Sequence, residues 1–392
     1  MLLALALLSA IAPLATDMYL PGLPALGEDL ATADGTVQLT LSTFMAGLGI
    51  GQLIVGPLSD GWGRRKLLLG GTVAFAISGV LCALAPTAEV LIAARLLQGL
   101  SGGAAIVLAR AVIADRAKGD LAAKLFSIMM IIGGVAPVVA PLLGGALLGP
   151  IGWRGIFWVL TGAGVLMVLG VATLIPETLP AERRHGGGLA ALARNVRYAV
   201  GNRRYVGYAL TFMFGFGALF SYISASPFVV QDVLGLSPGQ FSIVFGVNSI
   251  GIVGGSIVNT KLIGRFHARQ LLTFGVLALL TVGAALVLEV TVGGTNRWAV
   301  LPLLFLMTTA IGFVMGNATA LGQSEVPRAA GTGSALMGAG QFGLAALVSP
   351  LVGGSATGMA TSILVCAAVA TTALLTLTRP ATREAAPESA TV

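Results

Sequence analysis

Two ionisable residues, Asp17 and Arg95, lie inside stretches of the sequence that are otherwise apolar. Asp17 stands in LATDMYLPGLP, shortly before Pro21 and Pro24, which end a helix. Loss of water favours the protonated form of a carboxyl group and a nearby cation favours the ionised form, so Asp17 is a candidate for reversible proton exchange. The alternative is an acid at a helix end that simply meets water.

Arg95 stands in RLLQGLSGGAA, where Arg95, Gln98 and Gly102 share one face of a helix. A guanidinium group is always charged, so it needs a carboxylate, carbonyl groups or water around it. We expect Gln98, and also Gln341 in GQFGLAALVSPLVGG, to form part of the wall of a polar cavity. The alternative is a structural role, in which Arg95 stabilises a helix end and each amide joins two helices.

The segment GPLSDGWGRRK connects two apolar stretches through a short polar loop. Gly56 and Gly63 permit a tight backbone at this loop. Asp60 is placed to accept hydrogen bonds from a helix N-terminus or from the neighbouring Arg64 and Arg65. Charged contacts of this kind are made and broken when parts of a protein move, so we predict that the loop is a conformational gate.

The segment IIGGVAPVVAPLLGGALLG combines prolines with pairs of glycines. Pro137 and Pro141 each remove a backbone hydrogen-bond donor and kink a helix. Gly133, Gly144 and Gly145 permit bending and close packing of neighbouring helices. A lone proline carries little information in such a stretch, but two prolines between glycine pairs predict a hinge.

The elements that position these residues are helices in a membrane. The 392 residues are 56% hydrophobic and 9% charged, with a mean hydropathy of +0.95, whereas a soluble globular chain carries about 25% charged residues. This composition excludes a soluble enzyme and a nucleic-acid-binding protein. The two cysteines and two histidines are too scattered to predict a metal site, and no cofactor is expected.

Apolar runs of about 20 residues cross a bilayer as helices, and we predict twelve such spans: 2–20, 36–57, 67–85, 90–110, 124–148, 155–175, 205–226, 239–259, 270–290, 299–320, 331–352 and 357–378.

The basic residues are distributed unevenly between the connections. Nineteen of them lie in the tail, in the connections that follow even-numbered spans or at the adjoining helix ends, whereas only Arg154 and Arg297 follow odd-numbered spans. The positive-inside rule therefore predicts cytoplasmic termini, and topology rather than a nucleic-acid partner explains the net charge of +7. The first apolar run lacks the basic start of a secretory signal peptide, so we interpret it as a span.

Two internal repeats indicate that the chain consists of two related halves. PLSDGWGRRKLL at 57–68 aligns with KLIGRFHARQLL at 261–272, and APLLGG at 140–145 aligns with SPLVGG at 349–354. The polar linker contains an amphipathic stretch, 189–198, that fits the inner leaflet. The predicted parts are a first six-helix half at 1–178, a cytoplasmic linker at 179–204, a second six-helix half at 205–378 and a cytoplasmic tail at 379–392. In transporters, such halves form a binding site at their interface.

Four of these segments, in this order, resemble motifs of the major facilitator superfamily, and in particular of the Bcr/CflA-type drug:proton antiporters. TDMYLPGLP resembles the first-span signature of that group, and GQLIVGPLSDGWGRRK resembles the loop motif between spans two and three. RLLQGLSGGAA resembles the span-four motif and GGVAPVVAPLLGG the span-five antiporter motif. The sequence is most similar to actinobacterial chloramphenicol-resistance exporters. The resemblance implies an all-α membrane protein with twelve transmembrane helices in two pseudo-symmetric halves.

The resemblance also implies roles for single residues. Asp17 would couple the proton to the substrate, Arg95 would be the span-four arginine coupled to Asp17, and Tyr19 would be an aromatic residue of the cavity. The span-five hinge would prevent proton leak. The sequence departs from the family pattern at Gly264, which replaces the acid of the second-half loop, and in the lack of a second acid in span one. The latter suggests one coupled proton and a neutral substrate.

The implied function is proton-coupled efflux of a small amphipathic antibiotic, with chloramphenicol or a related amphenicol as the first expectation. The implied partners are the drug, the proton and the lipid bilayer, and a monomer is expected. The implied location is the bacterial cytoplasmic membrane, crossed many times with both termini in the cytoplasm. The alternative on the same fold is a proton-coupled importer of a small metabolite. A membrane enzyme would need a cluster of His, Asp or Cys residues at one depth, which the sequence does not supply.

Overall fold

A computed structural model of the chain describes residues 2–116, 119–180, 182 and 189–378. Apart from short helical turns, its secondary structure consists of the α-helices α1 (Leu2–Asp17), α2 (Leu23–Asp29), α3 (Asp34–Trp62), α4 (Arg64–Ala83), α5 (Ala88–Arg116), α6 (Gly119–Leu174), α7 (Leu189–Gly201), α8 (Arg203–Phe228), α9 (Pro238–Leu262), α10 (Ala268–Thr291), α11 (Arg297–Glu325), α12 (Ala330–Val352) and α13 (Ala356–Leu377). The predicted tail, 379–392, lies outside the described residues.

Among the described residues, eleven helical segments are long and apolar enough to cross a membrane. Predicted spans five and six both belong to α6, because the helix continues through Pro150 and is interrupted only at Gly152, where φ is 66° and ψ is 178°. A positive φ of this size is readily adopted only by glycine, so Gly152 permits the change of direction between the two spans. The predicted all-α membrane fold is confirmed.

Several helices end a few residues from the predicted span ends, as α3 does at Trp62 and α11 does at Glu325. The first helix ends at Asp17 instead of residue 20, and the chain continues through a short 3₁₀ turn, Leu20–Gly22, into α2. Predicted span four ends at residue 110, whereas α5 continues to Arg116 and places Arg110 inside the helix. Charged side chains lower the hydropathy of a window, but they do not interrupt backbone hydrogen bonding, so the helix extends beyond the apolar run.

The helices pack into two groups. In the first half α3 packs on α5, and α4 packs between α5 and α6, while α1 packs along α6. In the second half α8 packs against α11, α12 and α13, and α10 packs against α11 and α13. The two halves meet where α3 contacts α12 and where α6 contacts α9. The linker helix α7 packs against α8 and α12, and its place at a leaflet stays a prediction.

The helix boundaries follow the internal repeat. Helix α4 begins at Arg64 and α10 begins at Ala268, which is the offset at which the two loop sequences align. Pro141 in α6 aligns with Pro350 in α12, and both lie inside helices. The halves differ after these prolines, because α12 ends at Val352 whereas α6 remains helical at the aligned position.

Close helix packing in the first half depends on glycine. Gly47 and Gly51 of α3 and Gly99 and Gly103 of α5 each face the backbone of the other helix. A Cβ atom on Gly47 would lie 2.5 Å from the carbonyl oxygen of Leu96. Small residues allow membrane helices to approach this closely, and the contact determines where Arg95 lies relative to α3.

The bundle has two ends that we name by charge. The basic end carries cations of the connections that follow even-numbered spans and of the linker, for example Arg64, Arg116, Arg204 and Arg265. The opposite end carries Asp29, Asp34, Arg154 and Asp232. Helices α3, α5, α9 and α11 run from the opposite end to the basic end, and α1, α4, α8 and α12 run the other way.

Candidate functional site

A cavity of about 380 Å³ lies between the two halves. Its walls come from α1, α3, α5 and α6 on one side and from α8, α9, α11 and α12 on the other. Five aromatic side chains contribute to it: Phe216, Phe220, Tyr222, Phe245 and Phe342. The rings of Tyr222 and Phe245 stack with centroids 5.4 Å apart, and those of Phe216 and Phe342 meet edge to face at 5.9 Å. A cavity of this size and apolar character fits a small amphipathic molecule.

The halves are held together toward the opposite end of the bundle. Gln38 of α3 donates from Nε2 to the carbonyl oxygens of Gly353, at 2.8 Å, and Ser224, at 3.2 Å. Ser349 of α12 donates to the carbonyl of Gln38, and Gln231 donates to the carbonyl of Pro21. Among the described residues, every side-chain hydrogen bond between the halves lies between the bundle middle and this end. The cavity is therefore closed at the opposite end.

Asp17 is the last residue of α1 and lines the cavity. Its side chain is 5% exposed, and it makes no hydrogen bond or ion pair within the described part of the chain. The segment that follows bends away because Pro21 begins the 3₁₀ turn and Pro24 lies in the first turn of α2. A carboxyl group is thus presented at the end of a helix to a largely apolar cavity, which penalises an unpaired charge.

Arg95 is fully buried and does not line the cavity. Its Nη1 atom donates to Oε1 of Gln98 at 2.6 Å, and its Nε atom donates to the carbonyl of Thr40 at 3.4 Å. The guanidinium carbon lies 4.0 Å from the ring centroid of Phe44 and 4.6 Å from that of Tyr19. Cation–π contact compensates for part of the lost hydration. Its Nη2 atom has no hydrogen-bond partner among the described residues.

The residues predicted to surround the cavity are placed differently. Tyr19 and Gln98 are both fully buried around Arg95 and do not line the cavity. The Tyr19 hydroxyl bonds with Thr40 Oγ1 at 3.1 Å. Gln341 is half-buried and also lies outside the cavity wall. The physical reason is that a buried guanidinium group needs acceptors and aromatic rings close by, and here it uses the amide oxygen of Gln98 and the ring of Tyr19.

Asp17 and Arg95 are not hydrogen-bonded to each other in this conformation. Arg95 lies behind the cavity wall in its ring of aromatic side chains, whereas Asp17 faces the cavity. Tyr19 is the physical link, because it follows Asp17 by two residues and contacts the guanidinium. A movement of the end of α1 therefore acts on both groups.

The hinge residues connect α6 to both halves. An added Cβ atom on Gly144 would collide with the carbonyl oxygen of Met18 in the segment after α1. One on Gly145 would collide with Oγ of Ser242 in α9. Only glycine therefore permits α6 to contact the segment that follows α1 and the second half at adjacent positions.

The prolines of the cavity wall change the backbone that faces the cavity. Pro13 and Pro137 lack the N–H group that would bond to the carbonyl groups of Ser9 and Gly133, and all four residues line the cavity. Pro141 similarly frees the carbonyl of Pro137, which accepts a hydrogen bond from Ser249 Oγ of α9 at 3.3 Å. The kinks therefore provide acceptors at the interface of the halves as well as bending.

The predicted gating loop is a tight turn at the basic end. Helix α3 ends at Trp62 and α4 begins at Arg64, with Gly63 between them at a φ of 92°. A one-residue connection with this φ favours glycine. Gly56 packs on the side chain of Val107, at 3.5 Å from an added Cβ. The side chain of Asp60 lies outside the described residues, so its role stays a prediction.

Two acids that the sequence analysis missed bind the arginines of this loop. Arg64 Nε lies 3.2 Å from Oδ2 of Asp115 at the end of α5, and that oxygen also accepts from Thr178 at 3.0 Å. Glu177 accepts from the backbone N–H groups of Arg64 and Arg65 at 2.9 and 3.3 Å. All of these contacts join elements of the first half, so they brace that half in this conformation.

Glu177 lies outside the membrane-spanning segments and caps the start of α4. Partial burial acts to raise its pKa, but four backbone N–H groups outweigh it, and the pKa of Glu177 is lowered from its ordinary value. The donors belong to Arg64, Arg65, Thr178 and Leu179. An ionised acid at a helix N-terminus is stabilised by the helix dipole as well.

Arg110 also lines the cavity, and the sequence analysis assigned it only to a helix end. The signal that could have identified it is the continuation of the Arg95 face, because Gln98, Gly102, Ile106 and Arg110 recur at intervals of four. Ile106 lines the cavity as well. Side-chain spacing alone does not tell a cavity from a neighbouring helix, and Gly102 in fact contacts Leu48.

Known proteins of similar sequence and structure are membrane transporters. The chain is 41% identical over 351 residues to the uncharacterised MFS-type transporter YdgK of Bacillus subtilis, and the aligned region covers 89% of this chain and 87% of YdgK. It is 29% identical to the bicyclomycin resistance protein homolog of Haemophilus influenzae, over 90% and 88% of the two chains. It is 28% identical to multidrug resistance protein MdtL of Klebsiella pneumoniae, over 94% and 93%.

The fold is shared with solved transporter structures. A bacterial homologue of the human lysosomal transporter Spinster, in an inward-facing and unoccupied conformation, superposes with a TM-score of 0.76 at 17% identity and covers 96% of both chains. The inward-open xylose transporter XylE of E. coli gives 0.72 at 18% identity, over 98% and 97%. Residues 5–350 match the Major Facilitator Superfamily as a whole. The chain therefore belongs to the Major Facilitator Superfamily and is a membrane transporter rather than an enzyme.

Proposed function

We propose that this protein exports a small amphipathic antibiotic from the bacterial cytoplasm in exchange for a proton, with an amphenicol such as chloramphenicol as the first substrate to test. The observation that carries the proposal is Asp17, whose carboxyl group has no partner within the described part of the chain and lies in a largely apolar cavity that is closed at one end. Relatives named for bicyclomycin and multidrug resistance support efflux. The basic end is the cytoplasmic end under the positive-inside rule.

The exchange follows from where the carboxyl group lies. In the conformation described above, the substrate enters from the basic end and reaches the aromatic wall and Asp17. When the halves rock, the bonds of Gln38 to Ser224 and Gly353 break and the cavity opens to the outside. A proton from the acidic side then neutralises Asp17 and releases the substrate, and the protonated carboxyl group crosses back through an apolar environment at low cost.

Arg95 contributes through the end of α1. The carbonyl of Met18, between Asp17 and Tyr19, packs on Gly144, so a change at Asp17 is transmitted both to the aromatic ring that contacts Arg95 and to the hinge. Gly144 and Gly145 pack directly on the carbonyl of Met18 and the hydroxyl of Ser242, and we infer that these contacts keep water out of this part of α6. The hinge therefore limits proton leak while the halves exchange positions.

Everted membrane vesicles test the coupling. The addition of chloramphenicol to vesicles energised by respiration should release protons from the vesicle interior, measured as dequenching of acridine orange. Asp17→Asn should abolish this release while the purified variant still binds the drug. Asp232→Asn is the matched control, because Asp232 is an exposed acid at the opposite end that does not line the cavity. Normal proton release by the Asp17 variant would refute the assignment.

The direction of transport separates the exporter from a proton-coupled importer. Cells that express the protein should accumulate less labelled chloramphenicol than cells that express the Asp17 variant. Higher accumulation would indicate import. A resistance profile that compares amphenicols with cationic dyes then defines the substrate class.

A further inference from the structure

Arg110 is a charged residue within α5, away from the helix end at which a basic residue would orient the helix in the membrane. It lies six residues before the end of α5, which corresponds to about 9 Å of helix. Its side chain is exposed, and the space to which it is exposed is the cavity. Within the described residues Arg110 makes no hydrogen bond or ion pair, and among the residues that line the cavity it is the one base and Asp17 the one acid.

Arg116 shows what an interfacial arginine looks like on the same helix. It is the last residue of α5, is exposed, and does not line the cavity. Arg116 therefore already supplies, at the end of α5, the positive charge that orients this helix in the membrane. Arg110, by contrast, lines a largely apolar cavity, where a complementary acceptor gains more than it would in water.

We propose that Arg110 forms an acceptor-binding subsite near the basic mouth of the cavity, so that the protein selects amphipathic molecules with an anionic or strongly hydrogen-bond-accepting group. A carboxylate, sulfonate or nitro group matches the planar fork of a guanidinium group. The apolar part of the same molecule packs against Phe216 and Phe342, and Asp17 lies beyond it at the end of α1. A cation at the same mouth is repelled. This subsite rests on the proposed export function and specifies its substrate class.

The charge balance of transport agrees with this selection. Export of a monovalent anion is equivalent to the inward movement of one positive charge, and the proton that enters in exchange adds a second. A membrane potential that is negative inside therefore drives both movements. Export of a monovalent cation for one proton moves no net charge and gains nothing from the potential. The membrane potential therefore assists the export of neutral and anionic molecules and does not assist the export of a monovalent cation.

A matched set of ligands tests the subsite by equilibrium binding. Naphthylacetate, naphthylethanol and naphthylethylamine share a ring system and differ in charge, and calorimetry on the purified full-length protein measures their affinities without a gradient. The wild-type protein should bind the anion about tenfold or more tightly than the alcohol, as expected for a charge-assisted bond, and should bind the amine most weakly. Arg110→Lys should keep this order.

Arg110→Gln should lose the preference for the anion and keep its affinity for the alcohol, which also shows that the variant is folded. Arg116→Gln is the matched control and should behave as wild type. The proposal is overturned if the wild type shows no preference for the anion, or if the glutamine substitutions at 110 and 116 have equal effects. Anion preference without chloramphenicol-driven proton release would instead reject the proposed function and leave the subsite intact.

Discussion

Gln38 is the side chain whose removal should most directly shift the balance between the two conformations. Its Nε2 atom bonds to two carbonyl groups of the other half, at 2.8 and 3.2 Å, and both bonds must break before the opposite end opens. Its Oε1 atom is buried without a partner among the described residues, so this atom contributes a cost in the closed state. Methionine has a similar length and volume and makes neither bond.

The magnitude follows from these contacts. A hydrogen bond contributes about 0.5–1.5 kcal/mol net, so loss of the two bonds disfavours the closed state by about 1–3 kcal/mol, and removal of the buried Oε1 atom offsets part of this, which places the net effect toward the lower end of that range. Gln38→Met should therefore raise the population open at the opposite end by about tenfold, within a range of roughly fivefold to 150-fold.

Distances between spin labels measure this population. Labels on cysteines introduced at Ala33 and Thr357, which are exposed residues on either side of the closed end, should show a larger long-distance component in Gln38→Met. The native cysteines Cys82 and Cys366 are buried and are replaced by alanine as a precaution. Gln323→Met in α11, away from this closed end, is the matched control. An unchanged distribution in the Gln38 variant would show that these bonds do not hold the end closed.

Two further substitutions test the hinge and the brace at the basic end. Gly144→Ala forces a Cβ atom onto the carbonyl of Met18, at a cost of about 1–3 kcal/mol for overpacking. The substitution should lower drug transport and raise passive proton entry into proteoliposomes. The control Gly149→Ala on the same helix places its Cβ atom in open space and should change neither rate. Glu177→Gln should lower the melting temperature at pH 7, and the difference from wild type should disappear in acid: the pKa of Glu177 is lowered in the folded state, so its contribution is present above the ordinary pKa and is lost as the pH falls through the folded value. Melting curves at several pH values measure this, and a constant difference at every pH would contradict it.

Hydropathy predicted the helical spans because the formation of a membrane helix depends only on the residues of its own segment. Backbone groups in lipid must bond within their own segment, so each long apolar run forms a helix whatever its neighbours do. The same locality explains the errors. A window of hydropathy ends at a charge, whereas α5 continues past Arg110 to Arg116. A window also separates two spans at a polar or glycine-rich position, whereas α6 crosses Pro150 and departs from helical φ and ψ values only at Gly152.

The ionisable residues that could act in transport were visible in the sequence, but their positions in the folded structure were not. Asp17 was identified from its apolar surroundings, and only the structure places it in the cavity wall. Arg95 was also identified, but the rings that enclose it come from Tyr19 and Phe44, which belong to other segments. Similarly, Glu177 binds the start of α4 from more than a hundred residues away.

The amino-acid sequence by itself determined the membrane-spanning helices, the prolines and glycine pairs within α6, the tight turn at Gly63 and the presence of an acid in the first span, because each depends on neighbouring residues and on the solvent alone. Tertiary structure decided which polar side chains face the cavity and which are buried. It placed Arg95 in an aromatic enclosure and Arg110 in the cavity wall, although both lie on one helix. The physical reason is that the environment of a side chain is set by helices that pack around it from distant parts of the chain.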